Sequence, residues 1–228
     1  MNILFLLALA LSPGLAIILY IYLKDRYEPE PIKLLAIGFV LGVIAFGISV
    51  PVGNLLENLF GIKDQDLFDQ VIKAFLVVAV VEESSKFIFL RTVIYPNKNF
   101  DEPFDGIMYS VMIAMGFATI ENLIYVLNGG GGIAIIRMFT AVPSHAIFAI
   151  LMGYFVGIDK IVPGKGFGYS VFGLLLAILF HGIYDYFLFI SNQSLLWVGA
   201  AVSIIVAFLL SQRAIRLHQE ASPFKETS

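Results

Sequence analysis

Cysteine is absent from the 228 residues. That absence removes disulfides, thiolate nucleophiles and sulfur metal ligands together, and it leaves the redox compartment open. Charge is scarce as well: Asp, Glu, Lys and Arg make up 14% of the chain, where an ordinary soluble domain carries about a quarter. The formal net charge is −3 and no dense basic cluster occurs, which argues against nucleic-acid binding. The opening MNILFLLALALSPGL has no positively charged leader, and its apolar run continues past Pro13 to Leu23. It therefore reads as a retained span and not as a secretory signal.

Several catalytic signatures are missing too. There is no Gly-x-Ser-Gly nucleophile turn, no HExxH zinc helix, and no Gly-x-Gly-Asp partner for the Tyr184-Asp185 pair. NGGGG at 128–132 and PGKG at 163–166 do not follow a strand and open a helix, so they read as flexible turns and not as phosphate cradles.

What is present is apolar length. The chain is 59% hydrophobic with a mean hydropathy of +0.91. Crossing ~30 Å of hydrocarbon takes ~20 apolar residues in a helix, and such runs lie near 3–23, 34–53, 69–91, 105–127, 134–156, 168–190 and 195–212. These runs predict an all-α, polytopic bundle of seven spans forming one domain over 1–228, with core spans 69–190 and a polar tail at 213–228. Continuous apolarity excludes barrel strands, which alternate over about ten residues. Lys24, Arg26, Lys33, Arg91, Lys98, Lys160, Lys165, Arg213, Arg216 and Lys225 fall on one side, against Lys63 on the other, with Lys73 and Arg137 just inside neighbouring helices. The bias predicts an outer N-terminus and a cytoplasmic C-terminus. Gly38 and Gly42 predict close helix approach, and Leu55, Leu56, Leu59 and Phe60 fit an amphipathic extension in the headgroup plane as well as they fit an ordinary helix end.

Into these spans the sequence places Glu82, Glu83 and Lys86, then Glu121 and Asn122, His145, and His181 with Asp185. A charged side chain at a span centre costs about 2.5–3.5 kcal/mol on insertion scales, so each should face the bundle interior and have a partner. At 1.5 Å per residue, Glu82 and Glu83 lie roughly 3–5 Å inside the midplane, His145 about at it, and His181 and Glu121 roughly 3 and 7 Å outside it. That shared depth predicts one site. Glu82 and Lys86 are four apart, which favours an ion pair leaving Glu83 free. His181 and Asp185 have the same spacing, which lets the aspartate fix the imidazole tautomer. Plainer readings stand beside these: a self-neutralising Glu–Lys pair, a His145 satisfied by a backbone carbonyl after Pro143, and Asn122 as interhelical glue.

In order along the chain, EESSK (82–86), FATIEN (117–122), His145 and HGIYD (181–185) resemble the EExxK, FxxxEN, His and HxxxD pattern of PrsW-type intramembrane proteases. The resemblance covers essentially the whole chain. It implies a CAAX-protease-like core in a bacterial cell membrane and glutamate-dependent hydrolysis of a single-pass membrane protein. The implied physiology is the site-1 cut of an anti-sigma factor in the response to envelope stress or antimicrobial peptides. Glu121 and Asp185 depart from the FxxxH and HxxxN of the prenyl endopeptidases. An ionised aspartate cannot donate to an oxyanion, so the oxyanion role is expected at His181, with Asn122, and Asp185 is expected to orient His181. The expected catalytic set is Glu82 as general base assisted by Glu83, His181, and Glu121 and His145 as positioning groups, supported by Asn122, Asp185 and Lys86. No cofactor is expected, although His145, His181 and the carboxylates also suit zinc. A proton-coupled transporter or sensor, or a non-catalytic scaffold of the same fold, would carry the same buried residues. No internal repeat or pair of broken helices favours the transporter.

Overall fold

The computed structural model describes residues 2–25, 27–63, 66–190 and 194–225, and among the described residues there are no strands. Arg26, counted above among the basic residues, lies outside them. Helix α1 (Ile3–Tyr22) begins at Asn2, whose side chain accepts from Leu4 N. Helix α2 (Ile32–Phe60) runs for 29 residues and stops at Gly61, which takes the left-handed conformation (φ 59°) that a residue without Cβ adopts readily. Residues 67–94 make up α3, in which α turns at Leu67–Ile72 and Val80–Phe89 alternate with π turns at Lys73–Ala79 and Leu90–Ile94. Helix α4 (Pro103–Phe139) opens on a capping box between Glu102 and Asp105 and is broken at Gly130 (φ 74°, ψ −165°). Then follow α5 (Ala141–Ile161), α6 (Phe167–Phe189) and α7 (Ser194–Glu220).

Among the described residues, five stretches are long and apolar enough to cross a membrane: Ile3–Tyr22, Ile32–Phe60, Pro103–Ile161, Phe167–Phe189 and Val198–Glu220. The chain is thus a multi-pass helical membrane protein, but the expected runs divide differently. Runs 105–127 and 134–156 both fall inside the 59-residue stretch Pro103–Ile161. Run 69–91 falls on the mixed α/π helix, whose α turns are each shorter than a span.

Helix α4 occupies the centre, with every residue from Pro103 to Thr119 buried. In lipid, helices associate by packing and not by a hydrophobic drive, so small residues at crossings decide how close backbones come. A Cβ on Gly42 would lie 1.9 Å from Ile113 O, and one on Gly116 would lie 1.9 Å from Phe39 O. The close approach expected at Gly38 and Gly42 is therefore realised, with α4 as the partner.

Of the two readings of Leu55, Leu56, Leu59 and Phe60, the helix end is the one that forms, since they continue α2. The polar tail is helical to Glu220, and its end folds against the bundle: His218 is buried against Tyr154, and Ser222 hydrogen-bonds Glu102.

Candidate active site

The α turn Val80–Phe89 directs Glu83 and Lys86 inward, where both are buried. Oε1 of Glu83 accepts from Lys86 Nζ at 2.7 Å and lies 2.8 Å from Nδ1 of His181 on α6. Lys86 Nζ also reaches Nδ1 of His145 on α5 at 3.2 Å and sits 4.1 Å above the Phe117 ring of α4. On the far side of the imidazoles, His145 Nε2 lies 2.9 Å from Glu121 Oε2, and His181 Nε2 lies 3.2 Å from Asp185 Oδ2. The rings meet edge to face with centroids 5.4 Å apart, and His181 stacks on Phe148. The expected convergence of α3, α4, α5 and α6 is present.

Both histidines are built the same way. Each turns Nδ1 toward the Glu83–Lys86 centre and presents Nε2 to a carboxylate. An ammonium can only donate, so His145 Nδ1 accepts and the ring proton sits on Nε2, where it donates to Glu121. His181 meets an acceptor at each nitrogen.

A cavity of about 320 Å³ opens beside this centre, with Glu82, Glu121, Arg137, His145, His181 and Asp185 in its wall and Glu83 and Lys86 behind it. Oε2 of Glu82 is buried and has no hydrogen-bond partner. The expected Glu82–Lys86 pair is present at 3.6 Å, but Glu83 is not free as expected: Lys86 holds it more closely, at 2.7 Å, and Glu82 is the one of the two that lines the cavity. Lys86 reaches the i−3 carboxylate, which is also aimed at His181, and this puts Lys86 Nζ and His181 Nδ1 on a single oxygen.

Asn122 does not reach the cavity. Its Nδ2 donates to Ala10 O on α1 at 2.9 Å and its Oδ1 accepts from Arg137 Nε at 3.1 Å, which makes it glue and not an oxyanion donor. The Ser144 hydroxyl donates to Thr140 O within its own helix. Asp159 on α5 pairs with Arg91 on α3 at 3.3 Å, away from the cavity.

Sequence reasoning missed Arg137. Its Nη2 bonds Glu121 Oε2 at 2.8 Å, its guanidinium lies 4.0 Å over Tyr125, and it arrives from beyond the Gly130 break. Sixteen residues separate it from Glu121 with no periodic signal linking them. The break itself was the available clue, because a chain reversal there folds 131–139 back along α4.

Glu82, Glu83, His145 and His181 each offer a ligand atom within 4.8 Å of the others, so this group could hold a metal ion.

A family model described as PrsW family intramembrane metalloprotease matches residues 30–212. Among curated proteins, Protease PrsW of Geobacillus kaustophilus is 36% identical over 183 residues, covering 80% of this chain and 79% of the relative. Protease PrsW of Clostridioides difficile is 35% identical over 213 residues, covering 90% and 85%. Protease PrsW of Bacillus subtilis is 32% identical over 184 residues, covering 80% and 82%. No solved structure matches the chain. A membrane-embedded helical bundle with this motif order, matched over most of its length by proteases, is itself a peptidase, and the chain belongs to the PrsW family.

Proposed function

We propose that this intramembrane protease cleaves a single-pass membrane protein with water activated by Glu82. The observation that carries this reading is the Glu82 carboxylate, which lines the cavity and whose Oε2 makes no hydrogen bond, its nearest cation being Lys86 Nζ at 3.6 Å. A carboxylate in the wall of a cavity can take the proton of an attacking water, a contribution worth roughly 10²–10⁴ in rate. Glu83, held by Lys86 and His181, fixes α3 and α6 around it. His181 is the oxyanion donor in this reading: its contact with Asp185 at 3.2 Å is the longer of its two and the one that the tetrahedral oxygen shares. Glu121 and His145 position the water or the peptide.

The family description names a metalloprotease, and the donor set fits zinc. Glu83, His145 and His181 would hold the ion, with Glu121 and Asp185 backing the imidazoles as carboxylate partners do in zinc sites. Lys86 Nζ, which bridges Glu83 Oε1 and His145 Nδ1, would have to move aside. A zinc ion there would supply Lewis-acid polarisation and a more acidic water. In either case Glu82 remains the group facing the cavity.

The resemblance in motif order implies an anti-sigma factor as the substrate, cut at site 1, and the bias of the basic residues implies an outer N-terminus and a cytoplasmic C-terminus. The test is a labelled single-pass substrate in liposomes containing the purified protein. Cleavage by the wild type and none by Glu82→Gln at unchanged thermal stability is the expected result. Binding or ion flux without cleavage contradicts the proposal.

A further inference from the structure

Glu82 also belongs to a second cavity. This one, of about 160 Å³, lies between α2 and α3, with Ser49, Gly53, Asn54 and Glu57 on one side and Val77 and Val81 on the other. Val78 and Glu82, one helical turn apart, line both cavities, so α3 is the partition and Glu82 is the acid common to the two.

The α2 wall sets Ser49, Asn54 and Glu57 among Phe46 and Val50, where a lipid-bathed helix would be apolar throughout. Ser49, Gly53 and Glu57 follow at four-residue steps, which stacks them on one face. Near the C-terminal end of α2, Glu57 pairs with Lys73 at 2.7 Å. Toward the middle, Ser49 hydrogen-bonds the Ser85 hydroxyl at 2.9 Å, and Ser85 in turn donates to Glu82 O. Gly53 keeps the passage wide, since a Cβ there would meet nothing nearer than 3.9 Å. The neighbouring groove of the same two helices is walled mainly by Ile48, Val52, Val80 and Ile88, with Ser84 and Ser85 its polar residues, so the carboxylates lie on the side that leads to Glu82.

Each peptide bond cut consumes one water: its oxygen joins the acyl carbon, the C–N bond breaks, and a proton passes to the leaving amine. A polypeptide lying in the larger cavity displaces water from it, so the nucleophile needs another way in. We infer that the α2–α3 cavity is a hydration channel that brings water to Glu82 from the C-terminal end of α2 while the polypeptide occupies the larger cavity. The inference rests on the reading of Glu82 as the base. At about 160 Å³ the cavity exceeds several times over the ~10–15 Å³ that one water needs, so it takes a short chain of waters. The Ser49 hydroxyl, the Asn54 amide and the Glu57 and Glu82 carboxylates, together with neighbouring waters, are the polar partners of such a chain.

The chain has no cysteine, so a single introduced thiol reports without background. Gly53→Cys and Ile48→Cys would be compared in liposomes exposed on both sides to a charged, water-soluble methanethiosulfonate. Because the reactive thiolate forms only where water solvates it, Gly53→Cys should react at least about tenfold faster than Ile48→Cys. Equal rates overturn the channel. Gly53→Leu should then lower kcat at least about tenfold with KM for the substrate unchanged, by denying the attacking water its place; an unchanged kcat also overturns it. Labelling does not depend on catalysis. A labelled Gly53→Cys alongside an active Glu82→Gln therefore supports the channel while rejecting Glu82 as the base.

Discussion

Glu83 Oε1 and His181 Nδ1, 98 residues apart in sequence, lie 2.8 Å from one another, and the same oxygen takes Lys86 Nζ at 2.7 Å. Glu82, one residue before, leaves Oε2 without a hydrogen bond. The two adjacent glutamates should therefore fail differently when changed. Breaking a buried ion pair by removing one partner costs about 3–5 kcal/mol, so Glu83→Ala should lower the thermal midpoint markedly as well as activity. Glu82→Gln should abolish cleavage at an unchanged or raised midpoint. Thermal unfolding of both variants in detergent, beside a cleavage assay, checks the contrast.

Arg137 acts on the site through Glu121, whose Oε2 it shares with His145 Nε2. Loss of a group that orients a site imidazole typically costs about 10–100-fold in activity. Arg137→Gln should fall in that range and Arg137→Lys should recover part of it. The chain has only three histidines, so ¹⁵N spectra can read the tautomer of His145 directly. The wild type should carry the proton on Nε2, and Arg137→Gln should weaken that preference.

Helices α2 and α4 touch backbone to backbone at Gly116. Gly116→Ala should destabilise by about 1–3 kcal/mol, the usual cost of overpacking, since its Cβ would fall 1.9 Å from Phe39 O. Gly47→Ala, with nothing within 4 Å, should be close to neutral. Denaturation midpoints of the pair test whether the crossing is as close as described.

Most of the bundle was readable from apolar run length, and the site from the depth shared by Glu82, Glu83, Glu121, His145 and His181. Side-chain partners were less so. Four-residue spacing pointed to Glu82 for Lys86, but spacing cannot weigh the pull of His181 arriving from another helix. The π turns that bracket Val80–Phe89 carry no composition signal, and such turns recur at functional sites. The turn at NGGGG was legible, but not which residues beyond it meet Glu121, so Arg137 was missed. The docked end of α7 was read as a tail, since burial of His218 against Tyr154 cannot be inferred from a polar stretch.

Asp25, in the connection after α1, is pushed up to about 7, first by burial and then by the Glu102 and Glu30 carboxylates. A carboxyl whose folded-state value lies above its ordinary 3.8 contributes stability that is fully present below that pH and is lost as pH rises through about 7. Wild-type thermal stability should therefore decline between about pH 4 and 7, and Asp25→Asn should flatten that decline and stabilise the protein at neutral pH. Melting curves across this range decide the point.

The most direct test is the rate at which the Glu82→Ala, Glu83→Ala double variant, reconstituted in liposomes at wild-type abundance, cleaves a labelled single-pass substrate. The account predicts no cleavage above the protein-free rate, and cleavage at the wild-type rate would contradict it.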